Sequence, residues 1–536
     1  MAEPARASRD WGIALALAAL FAFTGLGNHP LLAADEPRVA GIAWEMQHTG
    51  QWWVPHLSGE PFLEHPPLFY AVLGGFIREL GASEAAARLP GAIASLFTAL
   101  LVFALARRLA DRSAGLPALF ALIGIAGFAR YSHRALVDPL LMLFVMAGYY
   151  AYVRAVWNGA GDPPPRGGER PSAVWLCAVY LAAALAFWVK GPIGVVAIGG
   201  PLAIDALAAR RWRVVLSPVH IAGLPLLAAA CVAWPLLLER AGGDAAARTF
   251  LLNNGWYRID PAAGAGEYLG GHTKPFWYYL PNVFNQLGWI TLFAPAAAVW
   301  LWRGEAPPGW RVSALRFLAW VFPIGLILLS IPGTKRGLYL LPFEPPLAVV
   351  IGAWIAAAAR ADAQRSRLEA GVSALCARIA RVDIAAAAAG ACRAPYRVAA
   401  IAFAIAIAWN TVGLRFVGRD RDLGPMARAV DERAGADPLL LLQPEECVRG
   451  AFPFYTGRIP PFSRDADRLA EQLAESRTRF LVAPLSLRDQ IAAELGSGAV
   501  LEQIWTADDD EYGLFAVRPE VAAALSSGAN LGLIQN

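Results

Sequence analysis

Residues 35–70 read DEPRVAGIAWEMQHTGQWWVPHLSGEPFLEHPPLFY and gather Asp35, Glu36, Arg38, Glu64 and His65 in one stretch. Carboxylates can take up a proton, hold a metal or stabilise developing positive charge, and arginine can hold an anion by charge-assisted hydrogen bonds. Similar residues recur far along the chain. Arg134 and Asp138 stand in HRALVDP, Lys190 in KGP, His272 and Lys274 in GGHTKPFWYYLP, and Lys335, Arg336 and Tyr339 in GTKRGLYLLP. Taken singly, an acid at such a place caps a helix at the interface and a basic side chain snorkels to headgroups. Taken as a set, the cations call for an anionic ligand, with the carboxylates beside it. Lys190 is the sharpest case, because apolar runs flank it on both sides.

The elements that carry these residues are membrane spans. Apolar residues make up 57% of the 536 and charged residues only 16%. A soluble chain carries about a quarter charged residues, so most of this one is solvated by lipid. A formal net charge of +4 gives no case for a nucleic-acid partner. The cysteines (Cys177, Cys231, Cys376, Cys392 and Cys447) form no CxxC pair, so neither a disulfide framework nor a structural zinc site is expected.

A span needs about 20 mostly apolar residues. Eleven stretches qualify, near 11–33, 86–106, 113–130, 136–154, 172–189, 192–209, 214–237, 276–302, 312–331, 338–359 and 396–416, with a shorter helix expected at 66–80. The first is read as a retained span and not as a cleaved signal. Basic loops at 107–112, 154–171, 209–213, 302–311 and 360–381 alternate with the others, which places them and the N-terminus in the cytoplasm. All the chemistry-bearing segments then fall on the opposite, outer face. Aromatic residues in PFWYYLP, with Trp52, Trp53 and Trp256, suit the bilayer interface.

From about residue 419 the character changes. Runs at 439–443, 479–484, 500–506 and 512–519 read as strands, and 465–476 and 486–496 as helices. The expected organisation is a membrane domain over 1–418, with outer loops 34–80 and 238–275, and an extracytoplasmic α/β domain over 419–536.

At this point the residues resemble a family. Asp35-Glu36, Arg38, WVPHLSG (53–59) and the Phe62–Pro67 turn look like the first outer loop of the bacterial aminoarabinose lipid A transferases and their protein O-mannosyltransferase-like relatives. Asp138 in LVDP, Lys190 in KGP, the FWYYLP run after a histidine, and Lys335 with Tyr339 extend the likeness along most of the chain. The resemblance implies a polytopic α-helical membrane glycosyltransferase of the GT-C class, with about 11–13 spans and a C-terminal extracytoplasmic α/β domain. It implies transfer of a sugar, with inversion, from a polyprenyl (undecaprenyl) phosphate donor to a lipid or glycan acceptor at the outer face of the bacterial inner membrane, lipid A being one such acceptor. Asp35 becomes the central acid or base, with Glu36 and Asp138 beside it. Arg38, His65, Arg134, Lys190, His272, Lys335, Arg336 and Tyr339 contact the donor's phosphate and sugar. No cofactor is required, although Glu64 and His272 resemble a pair that approaches a divalent metal near the phosphate. One departure is plain: the lysine of the family's Glu-Lys-Pro-Pro turn is His65 here.

Two other classes use similar parts. A lipid-linked sugar flippase or transporter also has many spans and intramembrane charges, but no internal repeat links the two halves, and the charges crowd one face instead of the midplane. An oligosaccharide ligase or polymerase would use the same lipid donors with larger sugars.

Overall fold

The apolar runs fold as helices, and eight of them are long and apolar enough to cross a membrane among the described residues: Glu84–Leu109, Val137–Val156, Ala173–Lys190, Val219–Ala241, Phe276–Arg303, Val312–Ser330, Gly337–Ala358 and Ala394–Phe416. The computed structural model describes residues 2–518 apart from 33, 160–169, 243, 253–256, 258–272, 361–365, 381–392, 467–468, 477, 496–497 and 508–509. These helices match eight of the eleven expected stretches, and the other three depart for local reasons. The first helix covers Ala2–Phe23 instead of 11–33, because the chain turns at Gly25 (φ 86°). The stretch 113–130 is broken at Ile125, an extended residue between Gly115–Gly124 and Ala126–Tyr131. Pro192–Ala208 is apolar but only 17 residues long. The short helix expected at 66–80 is Leu68–Leu80.

Two compact units emerge, and they interleave in sequence. One takes Met1–Thr24, Leu63–Phe69 and Pro90–Thr411; the other takes Gly25–Phe62, Tyr70–Leu89 and Val412–Asn536.

In the first unit the Gly337–Ala358 helix is buried throughout, whereas the others leave part of their surface for lipid. A chain of contacts ties the basic loops to one face. Arg107 pairs with Asp10 at 2.7 Å, and Arg108 donates to the Trp157 carbonyl. Arg311 donates to the carbonyls of Arg108 and Gly159, Arg211 lies 4.3 Å above the Trp157 ring, and Arg360 pairs with Asp111. The expectation that these loops share a side with the N-terminal helix is therefore met in the fold.

The second unit is an α/β domain with part of the first loop built into it. Its five-stranded sheet has the order β4-β3-β5-β7-β6, where β3 is Leu439–Leu442, β4 Phe462–Ser463, β5 Phe480–Pro484, β6 Ala499–Ala507 and β7 Asp510–Val517. β3 pairs parallel with β4 and β5, and β7 pairs antiparallel with β5 and β6. Alternation sends Leu439, Leu441 and Val482 to a core with Val430, Val448 and Phe452, and sends Leu440, Leu442 and Leu481 to a core with Leu469, Leu473 and Ile491. Helices thus cover both faces. Those at Gly424–Ala434 and Glu446–Thr456 were not foreseen in the sequence.

The loop segment joins this domain through the helix Glu36–Thr49, which crosses Glu446–Thr456 at two glycines. A Cβ on Gly41 would lie 2.4 Å from the Gly450 Cα, and one on Gly450 would lie 2.4 Å from the Pro37 carbonyl. A two-stranded hairpin follows, formed by β1 (His56–Leu57) and β2 (Glu60–Pro61). Its turn residues, Ser58 and Gly59, both have positive φ, and their amides donate to opposite oxygens of Glu45 at 2.9 and 2.6 Å. Burial pushes the Glu45 carboxyl above its ordinary range, and the two amides pull it back. Arg449 donates to the Leu57 carbonyl and Arg464 pairs with Glu60, so tail residues fasten the hairpin. Glu45→Gln turns an amide group toward one of the two N–H donors and orphans it. The expected loss is about 1–3 kcal/mol of stability, read as a lower thermal midpoint, with Glu45→Asp intermediate.

Candidate active site

The local sequence explains how Lys190 is presented. Its helix ends at Gly191, which adopts φ 72°, ψ −150° and serves at once as cap of this helix and start of the next. Pro192 then occupies the first helical turn, where its missing N–H costs nothing. A left-handed residue between two helices is a glycine position. The Lys-Gly-Pro triplet is therefore a corner with the lysine at its tip.

At that corner Lys190 Nζ meets Asp138 Oδ1 at 2.5 Å and lies 4.6 Å from the centre of the Tyr339 ring. Both charged side chains are buried. With His65 and Thr334 they line a cavity of about 330 Å³ whose other walls are apolar, among them Leu141, Ile193, Val196, Leu329 and Phe343. Asp138 stands in the first turn of Val137–Val156, where a helix N-terminus favours negative charge. The ammonium has three donors, so the pair with Asp138 leaves others for a ligand. A cation and a carboxylate at the head of an apolar cavity suit an amphiphile with an anionic head.

Not every expected site residue of the first unit lines this cavity. Lys335 does not line it. Its ammonium donates to the carbonyls of Lys274 and Pro332, and burial holds it below its ordinary value. The bridge between Thr273 and Thr334 sets that arrangement. Arg336 accepts from the Tyr279 hydroxyl through its carbonyl, and Arg134 lies 5.4 Å from the Tyr131 ring centre. Glu64 is half-buried beside buried His65. His272, expected as a donor contact and as Glu64's partner on a metal, lies outside the described residues. Among the described residues no three potential ligands cluster as a metal site requires.

Asp35, Glu36 and Arg38 belong to the second unit. Asp35 occupies the N-cap position of Glu36–Thr49 but makes no capping hydrogen bond. Its carboxylate instead accepts from Arg38 at 2.9 Å, and Arg38 also pairs with Glu446 at 2.5 Å. Glu36 is placed differently from its neighbour. It is buried and accepts from Arg88 through both oxygens, at 2.9 and 2.8 Å, while Arg88 also donates to the carbonyls of Leu26, His29 and Pro30. That geometry commits Glu36 to fixing the chain before the helix. Arg88, Glu446 and Arg449 escaped the sequence reading: Arg88 sits in an apolar helix as a flanking charge would, and the other two lie in a tail without a motif.

The sequence model for dolichyl-phosphate-mannose-protein mannosyltransferase matches residues 64–237. An undecaprenyl phosphate-α-4-amino-4-deoxy-L-arabinose arabinosyl transferase of Edwardsiella ictaluri is 30% identical over 352 residues, which are 64% of this chain and 59% of that one. The ArnT of Cupriavidus metallidurans, solved bound to undecaprenyl phosphate, superposes with a TM-score of 0.71 over 96% of this chain and 99% of its own, at 18% identity. The chain has the GT-C fold. The GT-C fold extends to the Archaeoglobus fulgidus oligosaccharyltransferase, with a TM-score of 0.50 at 12% identity over 88% of this chain and 69% of that one. The chain spans about 59% of the length of the arabinosyl transferases it matches. It is a multi-pass membrane protein, as its spans require.

Proposed function

We propose that this protein transfers a glycosyl unit from a polyprenyl-phosphate-sugar donor to an acceptor at the outer face of the inner membrane, with lipid A or another glycolipid as acceptor. The observation that carries this reading is the Lys190–Asp138 pair with Tyr339 at the head of an apolar cavity. The arabinosyl transferase names of the relatives and the undecaprenyl phosphate bound to the Cupriavidus protein support the donor class.

In the reaction the bond between the anomeric carbon and the phosphate oxygen breaks as the acceptor oxygen attacks. The leaving phosphate keeps the electron pair, and Lys190 stabilises its charge, with Arg38, His65, Arg134, Lys335 and Arg336 as the further basic residues of the site. Tyr339 shapes the cavity beside the ammonium, and Asp138 orients it. Asp35 takes the acceptor's proton, or stabilises positive charge at the anomeric carbon where the acceptor is already a phosphate anion. Glu64 and His272 are the residues that would hold a metal near the phosphate.

In this reading the basic loops and the N-terminus face the cytoplasm, and the α/β domain lies outside. Reporter fusions at residues 110 and 430 are expected to give opposite signals, and matching signals would mean that an even number of spans separates the two points. Lys190→Met is expected to weaken undecaprenyl phosphate binding about 10- to 100-fold, the worth of a hydrogen bond to a charged group. Binding of the uncharged polyprenol should be unchanged. Equal loss for both ligands would mean that the cavity collapsed and that the lysine does not read the phosphate.

A further inference from the structure

A second cavity, of about 470 Å³, lies along the same Pro192–Ala208 helix but toward its other end. Pro192, Ile193 and Val196 line the first cavity, whereas Gly199, Leu202 and Ala206 line the second. The polar groups in its wall are already satisfied. His220 Nε2 donates to the Val214 carbonyl, which leaves Nδ1 to accept from the Tyr180 hydroxyl at 2.6 Å. Tyr152 donates to Asp205, and Arg211 pairs with the same carboxylate at 2.8 Å. What the cavity presents inward is therefore hydrocarbon.

A basic segment joins two parts of its wall. Ala206 and Leu207 line the cavity before it and Val214 and Val215 after it, and the segment between them reads AARRWR over 208–213. Arg211 pairs with Asp205. Arg210 and Arg213 are exposed, and Trp212 is 54% exposed beside them. Arg210 also holds an unusual backbone, with φ 50°. Its amide donates to the Leu207 carbonyl and the next amide donates to the Ala206 carbonyl, which is the pairing that closes a helix at a left-handed residue. That position normally belongs to glycine, and an arginine there costs backbone energy that a functional side chain would justify.

We propose that this cavity binds an anionic diacyl phospholipid of the bilayer, with an acyl chain between the helices and the headgroup phosphate on Arg210 and Arg213. The loop belongs to the basic face of the bundle, where juxtamembrane cations meet anionic headgroups. The site is separate from the donor cavity and does not depend on the transferase reading.

The test uses the full chain purified in detergent, with phosphatidylglycerol or phosphatidylcholine of equal chain length added and retention read by native mass spectrometry. The parent is expected to retain phosphatidylglycerol over phosphatidylcholine by about fivefold per arginine. Arg210→Gly should lower that preference about fivefold while its thermal midpoint stays level or rises, since glycine relieves the backbone. Gly199→Leu should abolish retention of both lipids, because a Cβ at Gly199 meets open space and its side chain fills the cavity without a clash at that atom. Equal retention of the two lipids by the parent, or undiminished phosphatidylglycerol in either variant, would overturn the proposal. So would displacement of phosphatidylglycerol by equimolar undecaprenyl phosphate, which would make the site a second prenyl-phosphate groove.

Discussion

Asp35→Asn is expected to lower turnover by about 100- to 10,000-fold, the range that a positioned acid or base contributes, while the protein still inserts, purifies and binds donor lipid. Asparagine keeps the shape of the side chain and can still accept from Arg38, so the contact at 2.9 Å survives the change in weakened form. The carboxylate makes no capping hydrogen bond to the helix it precedes, so loss of a cap cannot explain a collapse in rate. What asparagine lacks is the ability to take a proton or to stabilise a positive anomeric carbon. Near-normal turnover in this variant, measured under saturating donor, would remove Asp35 from the reaction and move the transporter reading up.

Arg88→Met is expected to cost about 3–5 kcal/mol of stability, because it leaves Glu36 as an uncompensated buried charge. Arg88 is fully buried and supplies both hydrogen bonds that the Glu36 oxygens receive from it, besides tying down three carbonyls of the 26–30 segment. The thermal midpoint of the variant should fall sharply, and the double variant Arg88→Met with Glu36→Gln should recover part of the loss by removing the stranded charge. Glu36→Gln alone separates two roles for this acid. Retained turnover with lowered stability fits its position against Arg88, whereas lost turnover with unchanged stability would return it to the chemistry. An Arg88→Met midpoint equal to the parent's would contradict the packing described for this segment.

Much of this arrangement was legible in the residues. Hydropathy placed eight spans because a lipid-solvated helix must be apolar over its whole length, whatever its neighbours do. Asp138 and Lys190 stand out in the sequence by their type and setting, and the fold brings them to 2.5 Å. The strands of the tail followed from short apolar runs between polar ones. Other features depend on tertiary partners that no local pattern reports. The crossing of Glu36–Thr49 with Glu446–Thr456 rests on Gly41 and Gly450, two glycines that only the folded chain brings together. No motif marks Glu45, whose role is set by the Ser58 and Gly59 amides. The two carbonyls that the Lys335 ammonium reaches belong to Lys274 and Pro332, and no motif announces them. The break at Ile125 was hidden because its neighbours are as apolar as the rest of the run.

In the proposed reaction a sugar leaves a polyprenyl phosphate in this protein's cavity. The most direct measurement incubates the purified protein with undecaprenyl-phosphate-linked sugar, labelled in the sugar, and a lipid A acceptor, and follows both products. Free undecaprenyl phosphate is expected to appear in step with label in the acceptor, and both to vanish in Asp35→Asn. Intact donor moved from one leaflet of a liposome to the other, with no release of undecaprenyl phosphate, would contradict it.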